Sequence, residues 1–206
     1  MCGIFAVIGS REVSSILIDG LRKLEYRGYD SAGIATIDNS NNDQIEKLNI
    51  IKSKGKLINL SNLIKEKPPK GYVGIGHTRW ATHGKPNERN SHPHLDSSAQ
   101  IAVVQNGIIE NYRDLSKSLK LKGIKFTSET DTEIIPHLIG LELEQSLANG
   151  LSPNGQTLLK AVQKVLTLLE GTYAIAVIWS KAPNALVVAS GQAPLVLGFG
   201  EGEFFC

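Results

Sequence analysis

Met1-Cys2-Gly3-Ile4-Phe5-Ala6-Val7-Ile8 opens the chain, and its reading governs the rest. Gly3 to Ile8 is a short, almost continuous apolar run, the pattern of a buried strand. Cys2 stands immediately before it. A small second residue leaves the Met1–Cys2 bond accessible to an aminopeptidase, after which Cys2 is the first residue. Its α-amine, with a reference pKa of about 7.7–8.0, is partly unprotonated near neutrality and serves as a base. Nucleophile and base then belong to one residue, directly or through one water, and no catalytic histidine is required. On these residues alone the alternative is a small buried cysteine that merely opens a core strand, since free cysteines are mostly buried and inert.

The 206 residues carry 22 Lys and Arg against 20 Asp and Glu, a formal charge of +2, with 41% hydrophobic and 20% charged residues. That balance is ordinary for a soluble globular protein, and the length allows a sizeable core. Basic residues are scattered and form no stripe with aromatics, which argues against a nucleic-acid partner. No segment approaches the ~20 apolar residues of a membrane span. The opening run is too short for a signal-peptide core and has no basic flank. Cys2 and Cys206 are too few for a disulfide framework and fit a reducing compartment. The expectation is a cytoplasmic protein with no membrane partner.

Outward from the first strand, Val13 to Tyr26 has Ile16, Leu17, Gly20, Leu21 and Leu24 at helical spacing. A turn, Arg27 to Gly33, leads into strand Ile34 to Ile37. Asn39 to Asp43 is a polar hairpin-like loop before strand Ile45 to Lys52. A short helix, Leu57 to Lys65, precedes strand Tyr72 to Thr78. Arg79 to Ser98 is a long polar loop, a class of segment that is often functional. Strand Ile101 to Gln105 and helix Asn111 to Leu121 follow. A second helix runs from Asp131-Thr132 to Asn149-Gly150, and a third from Thr157 to Leu169. Three strands close the chain: Thr172 to Trp179, Leu186 to Ala189 and Leu195 to Gly198. Strands in short-turn pairs and helices in groups indicate one α/β domain with a mixed or antiparallel sheet rather than a doubly wound parallel one. Glu203-Phe204-Phe205-Cys206, with no polar tail, reads as a cut from something longer.

Four further segments are dense in polar residues and glycine: Tyr26-Arg27-Gly28-Tyr29-Asp30-Ser31-Ala32-Gly33, His77-Thr78-Arg79-Trp80-Ala81-Thr82-His83-Gly84, Asn106-Gly107-Ile108-Ile109-Glu110-Asn111-Tyr112 and Ser128-Glu129-Thr130-Asp131-Thr132-Glu133. Together with Cys2-Gly3-Ile4, and in this order, they resemble the glutaminase domain of the class II glutamine amidotransferases, a branch of the N-terminal nucleophile hydrolases. The wording of Leu24 to Gly33 and His77 to Gly84 is similar to the branch whose ammonia acceptor is fructose 6-phosphate. The resemblance implies an α+β fold over residues 2–206, a four-layer αββα sandwich of two antiparallel sheets.

It also implies roles. Cys2 attacks the side-chain carbonyl of L-glutamine, and the oxyanion is held by the Asn106 side-chain amide and the Gly107 backbone N–H. Read alone, Asn106-Gly107 is a simple turn after a strand. Arg79, a planar fork suited to a carboxylate, takes the substrate α-carboxylate, and Asp131 takes its α-ammonium. The plainer readings are a solvated loop arginine and a helix N-cap, with Thr130 able to cap instead. Trp80, Thr82 and His83 belong to the substrate-binding loop, and Arg27 holds the N-terminal segment. Tyr29, Asp30 and Ser31 shape their turn.

No cofactor is expected. His77, His83, His92 and His94 lie in or beside the long loop, but without cysteines or an ordered helical pair they argue weakly for a metal, so none is expected. The chain departs from many relatives in having Gln105, not His, before Asn-Gly. No phosphosugar or isomerase motif is present, so a C-terminal isomerase part is expected to be absent, and the intact enzyme to be a homo-oligomer. Competing readings are another class II amidotransferase with a different ammonia acceptor, and a catalytically silent glutamine-binding regulator.

Overall fold

The computed structural model describes residues 2–28, 30–38, 47–80 and 84–206. In chain order its elements are β1 (Gly3–Ile8), α1 (Ser14–Leu24), β2 (Ser31–Asp38), β3 (Lys47–Lys54), α2 (Leu57–Glu66), β4 (Val73–Arg79), β5 (His94–Leu95), β6 (Ile101–Ile109), α3 (Tyr112–Leu121), α4 (Ile134–Ala148), α5 (Gly155–Leu166), β7 (Gly171–Trp179), β8 (Val187–Gly191), β9 (Gly198–Gly200) and β10 (Glu203–Phe205). One sheet has the order β3-β2-β4-β1-β10-β9 and the other β5-β6-β7-β8. Every pair within them is antiparallel.

The strand period of two explains the layering. In β6, Ala102 and Val104 face the other sheet, while Ile101 and Val103 face the helices. β7 repeats the pattern, with Ala176 and Ile178 inward and Ile175, Val177 and Trp179 outward. Between the sheets lie many small side chains, including Ala6, Ala35, Ala102 and Ala176, with Ile37, Val73, Ile75, Val104 and Ile178 filling the rest. The outer face of the six-stranded sheet packs on α1 and α2 through Val7, Ile34, Leu17, Leu21, Leu57 and Leu60. That of the four-stranded sheet packs on α3, α4 and α5 through Leu119, Ile135, Ile139, Leu158 and Val162. The architecture is the αββα sandwich expected from the sequence.

Several boundaries differ from the sequence reading. Helical geometry in α1 stops at Leu24, and Glu25–Arg27 tightens into a 3₁₀ turn. The Arg79–Ser98 segment contains β5 and is anchored by buried Asn90, whose Nδ2 donates to Lys85 O and Glu129 Oε2, each at 3.0 Å. The expected strand at Leu195–Gly198 lies at Gly198–Gly200 instead. Glu203–Phe205, for which the sequence predicts no element, is strand β10, and Cys206 exchanges backbone hydrogen bonds with Ala6 at 2.8 and 2.9 Å. That pairing joins residues too far apart in the chain for any local pattern to carry it. The Asn39–Asp43 loop lies outside the described residues.

Close approach of α1 to its sheet depends on Gly20. A Cβ there would sit 2.4 Å from Phe5 Cγ, with two further ring atoms at 2.5 Å. Alanine gains about 0.8–1 kcal/mol of helix propensity over glycine, whereas overpacking typically costs 1–3 kcal/mol. With three ring atoms in conflict, the steric cost wins. Gly20→Ala is expected to lower the urea midpoint, and Phe5→Leu in the same chain to restore part of the loss. A more stable Gly20→Ala protein would contradict this packing.

Candidate active site

Antiparallel pairing brings the beginnings of β1 and β2 beside the end of β4, with Gly3 opposite Thr78 and Ser31 opposite Arg79. Cys2, just ahead of β1, therefore reaches the peptide that follows β4. Trp80 N–H donates to Cys2 Sγ at 3.2 Å, and Sγ lies 3.4 Å from Trp80 O. Burial pushes the Cys2 thiol up despite that Trp80 contact, so the sulfur is a protonated thiol that needs a base.

Asn106 comes from the other sheet. Its Nδ2 donates to Cys2 O at 3.4 Å and its Oδ1 lies 2.9 Å from His77 Nε2. Asn106 and Gly107 are inside β6, opposite Ala174 and Tyr173, and no hairpin turn occurs there. The turn reading is therefore overturned. Asn-Gly is nonetheless special: Gly107 has φ +111, and a Cβ would lie 2.0 Å from Thr172 O. Only glycine fits that twist and that approach.

Arg79 is buried at the end of β4. Its Nη2 donates to Gly84 O at 3.1 Å, and Nη1 is 3.8 Å from Asp30 Oδ1. Asp30 also accepts from Ser31 Oγ at 2.8 Å, so the turn residues set the guanidinium's position. Arg79 is not a solvated loop arginine. Asp131 is not an N-cap: its Oδ2 accepts the Ile109 N–H at 2.8 Å, and Thr130 makes no capping bond through its side chain.

Cys2, Arg79, Trp80, His92, Gln105, Gly107 and Thr130 to Thr132 line one cavity of about 20 Å³. That is room for about one water, so a ligand the size of a free amino acid enters only when the wall moves. Trp80, 54% exposed, stands on its solvent side. Arg27 is half-buried in the 3₁₀ turn and is not part of this lining. Thr82, His83 and Tyr29 lie outside the described residues.

A thiol at the strand mouth, an amide donor from the facing sheet, and a cation and an anion lining the same cavity suit hydrolysis of an amino acid's side-chain amide. The profile of the glutamine amidotransferase domain matches residues 77–206. The chain belongs to that family. It is 53% identical over 206 residues to a glutamine–fructose-6-phosphate aminotransferase (isomerizing) of Thermosynechococcus vestitus, and 47% over 205 residues to that of Clostridium acetobutylicum. It spans 31% of the length of each of these curated relatives. Among solved structures, the glutamine phosphoribosylpyrophosphate amidotransferase of B. subtilis superposes with TM-score 0.78 at 26% identity, over 100% of this chain and 41% of that one. An allosteric regulatory enzyme of purine biosynthesis gives TM-score 0.80 at 27% identity, with the same coverages. The fold is shared with both groups, and the sequence is far closer to the first.

Behind the cavity is a stack of buried histidines that the sequence did not place. His77 and His92 stack at 4.1 Å, and His94 meets His92 edge-on at 4.8 Å. His92 Nδ1 accepts the Gln105 N–H at 3.2 Å, so the proton of the neutral ring is on Nε2, facing Thr132 Oγ1 at 3.3 Å. The Thr132 hydroxyl then donates to Gln105 Oε1. This chain of bonds turns Gln105 Nε2 toward the cavity, where it meets no partner among the described residues. Gln105 thus presents a neutral donor there. His94 Nε2 meets Thr130 Oγ1 at 3.0 Å, and Thr130 meets Ser128 at 2.9 Å. Ser128 donates to buried Glu133. Burial pushes the Glu133 carboxyl up, but the His137 imidazole 3.6 Å away and hydrogen bonds from Ser128 and Thr127 outweigh it and hold the group well below the usual range. Among the described residues no group of three or more His, Cys, Asp and Glu is arranged to hold a metal.

Burial holds all three stacked histidines neutral, His77 down to about 3 and His92 and His94 well below the ordinary value. In the unfolded chain they take up protons below about 6.5. Stability is therefore fully present above that pH and falls as pH drops toward the folded values, by about 1.4 kcal/mol per pH unit for each group. Below about 4.5 the depressed Glu133 adds to the loss. Urea midpoints should fall steeply between pH 6.5 and 4.5, by an amount that corresponds to two or three protons taken up on unfolding. A flat profile over that window would contradict buried neutral imidazoles.

Proposed function

We propose that this chain hydrolyses L-glutamine to glutamate and ammonia through a thioester on Cys2, once Met1 has been removed. The Cys2 α-amine takes the thiol proton, directly or through one water, and sulfur attacks the side-chain carbonyl carbon. The oxyanion is stabilised by the Asn106 Nδ2–H and the Gly107 N–H. The tetrahedral adduct then collapses, the same amine protonates the departing nitrogen, and ammonia leaves. Water next attacks the glutamyl thioester, returns the thiol and releases glutamate. Arg79 holds the α-carboxylate, and Asp131 holds the α-ammonium. Trp80, Thr82 and His83 close over the substrate and exclude water, and Arg27 steadies the N-terminal segment. The observation that carries the reading is the reach of Asn106 Nδ2 to Cys2 from the facing sheet.

The domain covers residues 2–206 of a longer protein in which an isomerase part, absent here, receives the ammonia and transfers it to fructose 6-phosphate, forming glucosamine 6-phosphate. Exposed Val196, Leu197, Phe199 and Phe204 around the β9–β10 ribbon offer an apolar surface for that part. The intact enzyme is a cytoplasmic homo-oligomer. Among the described residues no helix is long and apolar enough to cross a membrane.

Cys2→Ala is expected to abolish glutamate release and leave the thermal unfolding midpoint unchanged. Asn106→Ala should lower kcat by ~10²-fold with little change in KM, as for other oxyanion donors. Arg79→Ala should instead raise KM, by about 10- to 100-fold for one charge-assisted partner lost. Steady-state kinetics with Asn106→Ala altering KM alone would overturn the oxyanion assignment.

A further inference from the structure

We propose that His77 is a positioning residue for this reaction: its Nε2–H fixes the Asn106 side chain so that the NH₂, not the carbonyl oxygen, faces the carbon attacked by Cys2. The inference rests on Asn106 acting as an oxyanion donor, as proposed above.

An amide side chain is nearly symmetric in shape and opposite in chemistry at its two ends. Rotated by half a turn, Asn106 would present a partial negative charge to a developing oxyanion and oppose the reaction. Two contacts set its direction. On one side is Cys2 O, a carbonyl that only accepts, 3.4 Å from Nδ2. On the other is His77 Nε2, 2.9 Å from Oδ1. Both are satisfied only when the imidazole proton is on Nε2. Burial holds His77 neutral, down to about 3, and the nearby Arg79 charge opposes its protonation further. The ring therefore has one N–H to give, and it gives it to Asn106.

The ring is itself held. His92 stacks on it with planes 16° apart, and His92 is tied to the Gln105 N–H and to Thr132 in the turn before α4. His77 and Asn106 stand on β4 and β6, so this hydrogen bond also ties the two sheets together at the level of the nucleophile.

The test compares His77→Leu, which deletes the donor, with His77→Gln, whose Nε2 reaches about where the imidazole Nε2 was. His77→Leu should lower kcat by about 10- to 100-fold, approaching the loss of an oxyanion donor, with KM changed less than about threefold. His77→Gln should recover most of it. In an Asn106→Ala background His77→Leu should cause no further loss, because the group it orients is gone. Wild-type kcat in His77→Leu, a loss confined to KM, or full additivity with Asn106→Ala would each overturn the proposal. Should His77→Leu fail to fold, nitrogen NMR of the unmodified chain decides: a neutral Nε2–H tautomer at pH 5 to 8 supports the proposal, and an Nδ1–H tautomer rejects it. Failure of the underlying reading is seen separately, as an Asn106→Ala protein with normal kcat.

Discussion

Between the two sheets, a layer built mainly of alanine, valine, isoleucine and leucine turns polar at one level, where His77 meets Asn106. Everything at the catalytic end depends on that contact and the bonds behind it. A buried polar group left without a partner costs about 1–3 kcal/mol, so a layer of this kind tolerates few alternative arrangements. His92, Thr132 and Gln105 share donors and acceptors in one direction, and reversing any one of them orphans a neighbour; His77 stacks on this chain through His92. Neutral rings suit this place because a charge in the same position would carry a much larger desolvation penalty. The network is thereby both the scaffold of the site and its weak point in acid.

The same logic explains why the nucleophile stands where it does. A residue just ahead of a central strand is placed as firmly as the sheet itself, yet still has an open side toward solvent. Trp80 N–H meets the sulfur because β4 runs antiparallel to β1 and ends beside its start. Asp30, at the mouth of β2, reaches Arg79 for the same reason. Three strand ends thus supply nucleophile, cation and counter-ion without a specialised loop. The cavity beside Cys2 holds about one water, so the proposed substrate needs its wall to move.

Much of this was legible in the sequence. Strand and helix periods gave β1 without error, and α1, α2, β4, α3, α4 and β7 to within a few residues, because each buries one face. The order of five short motifs implied the αββα sandwich, which periodicity alone left open between mixed and antiparallel sheets. Hidden features were those set by distant partners. β10 has only three residues and exists by pairing with β1. Asn106-Gly107 resembles a turn because glycine signals one, but here the glycine serves a twist within a strand against Thr172. Asn90, His92 and His94 fall in what the sequence shows only as a long polar loop, and nothing local reveals how deeply that loop is buried. Asp131 was legible as a polar residue before a helix, whereas its bond to Ile109 N–H depends on β6.

The most direct measurement is intact-mass and peptide analysis of the chain quenched in acid during turnover of L-glutamine. The account predicts a protein lacking Met1 that transiently carries one glutamyl group, sensitive to hydroxylamine and confined to the N-terminal peptide at Cys2. A glutamyl adduct elsewhere, or full turnover by chain that retains Met1, would contradict it.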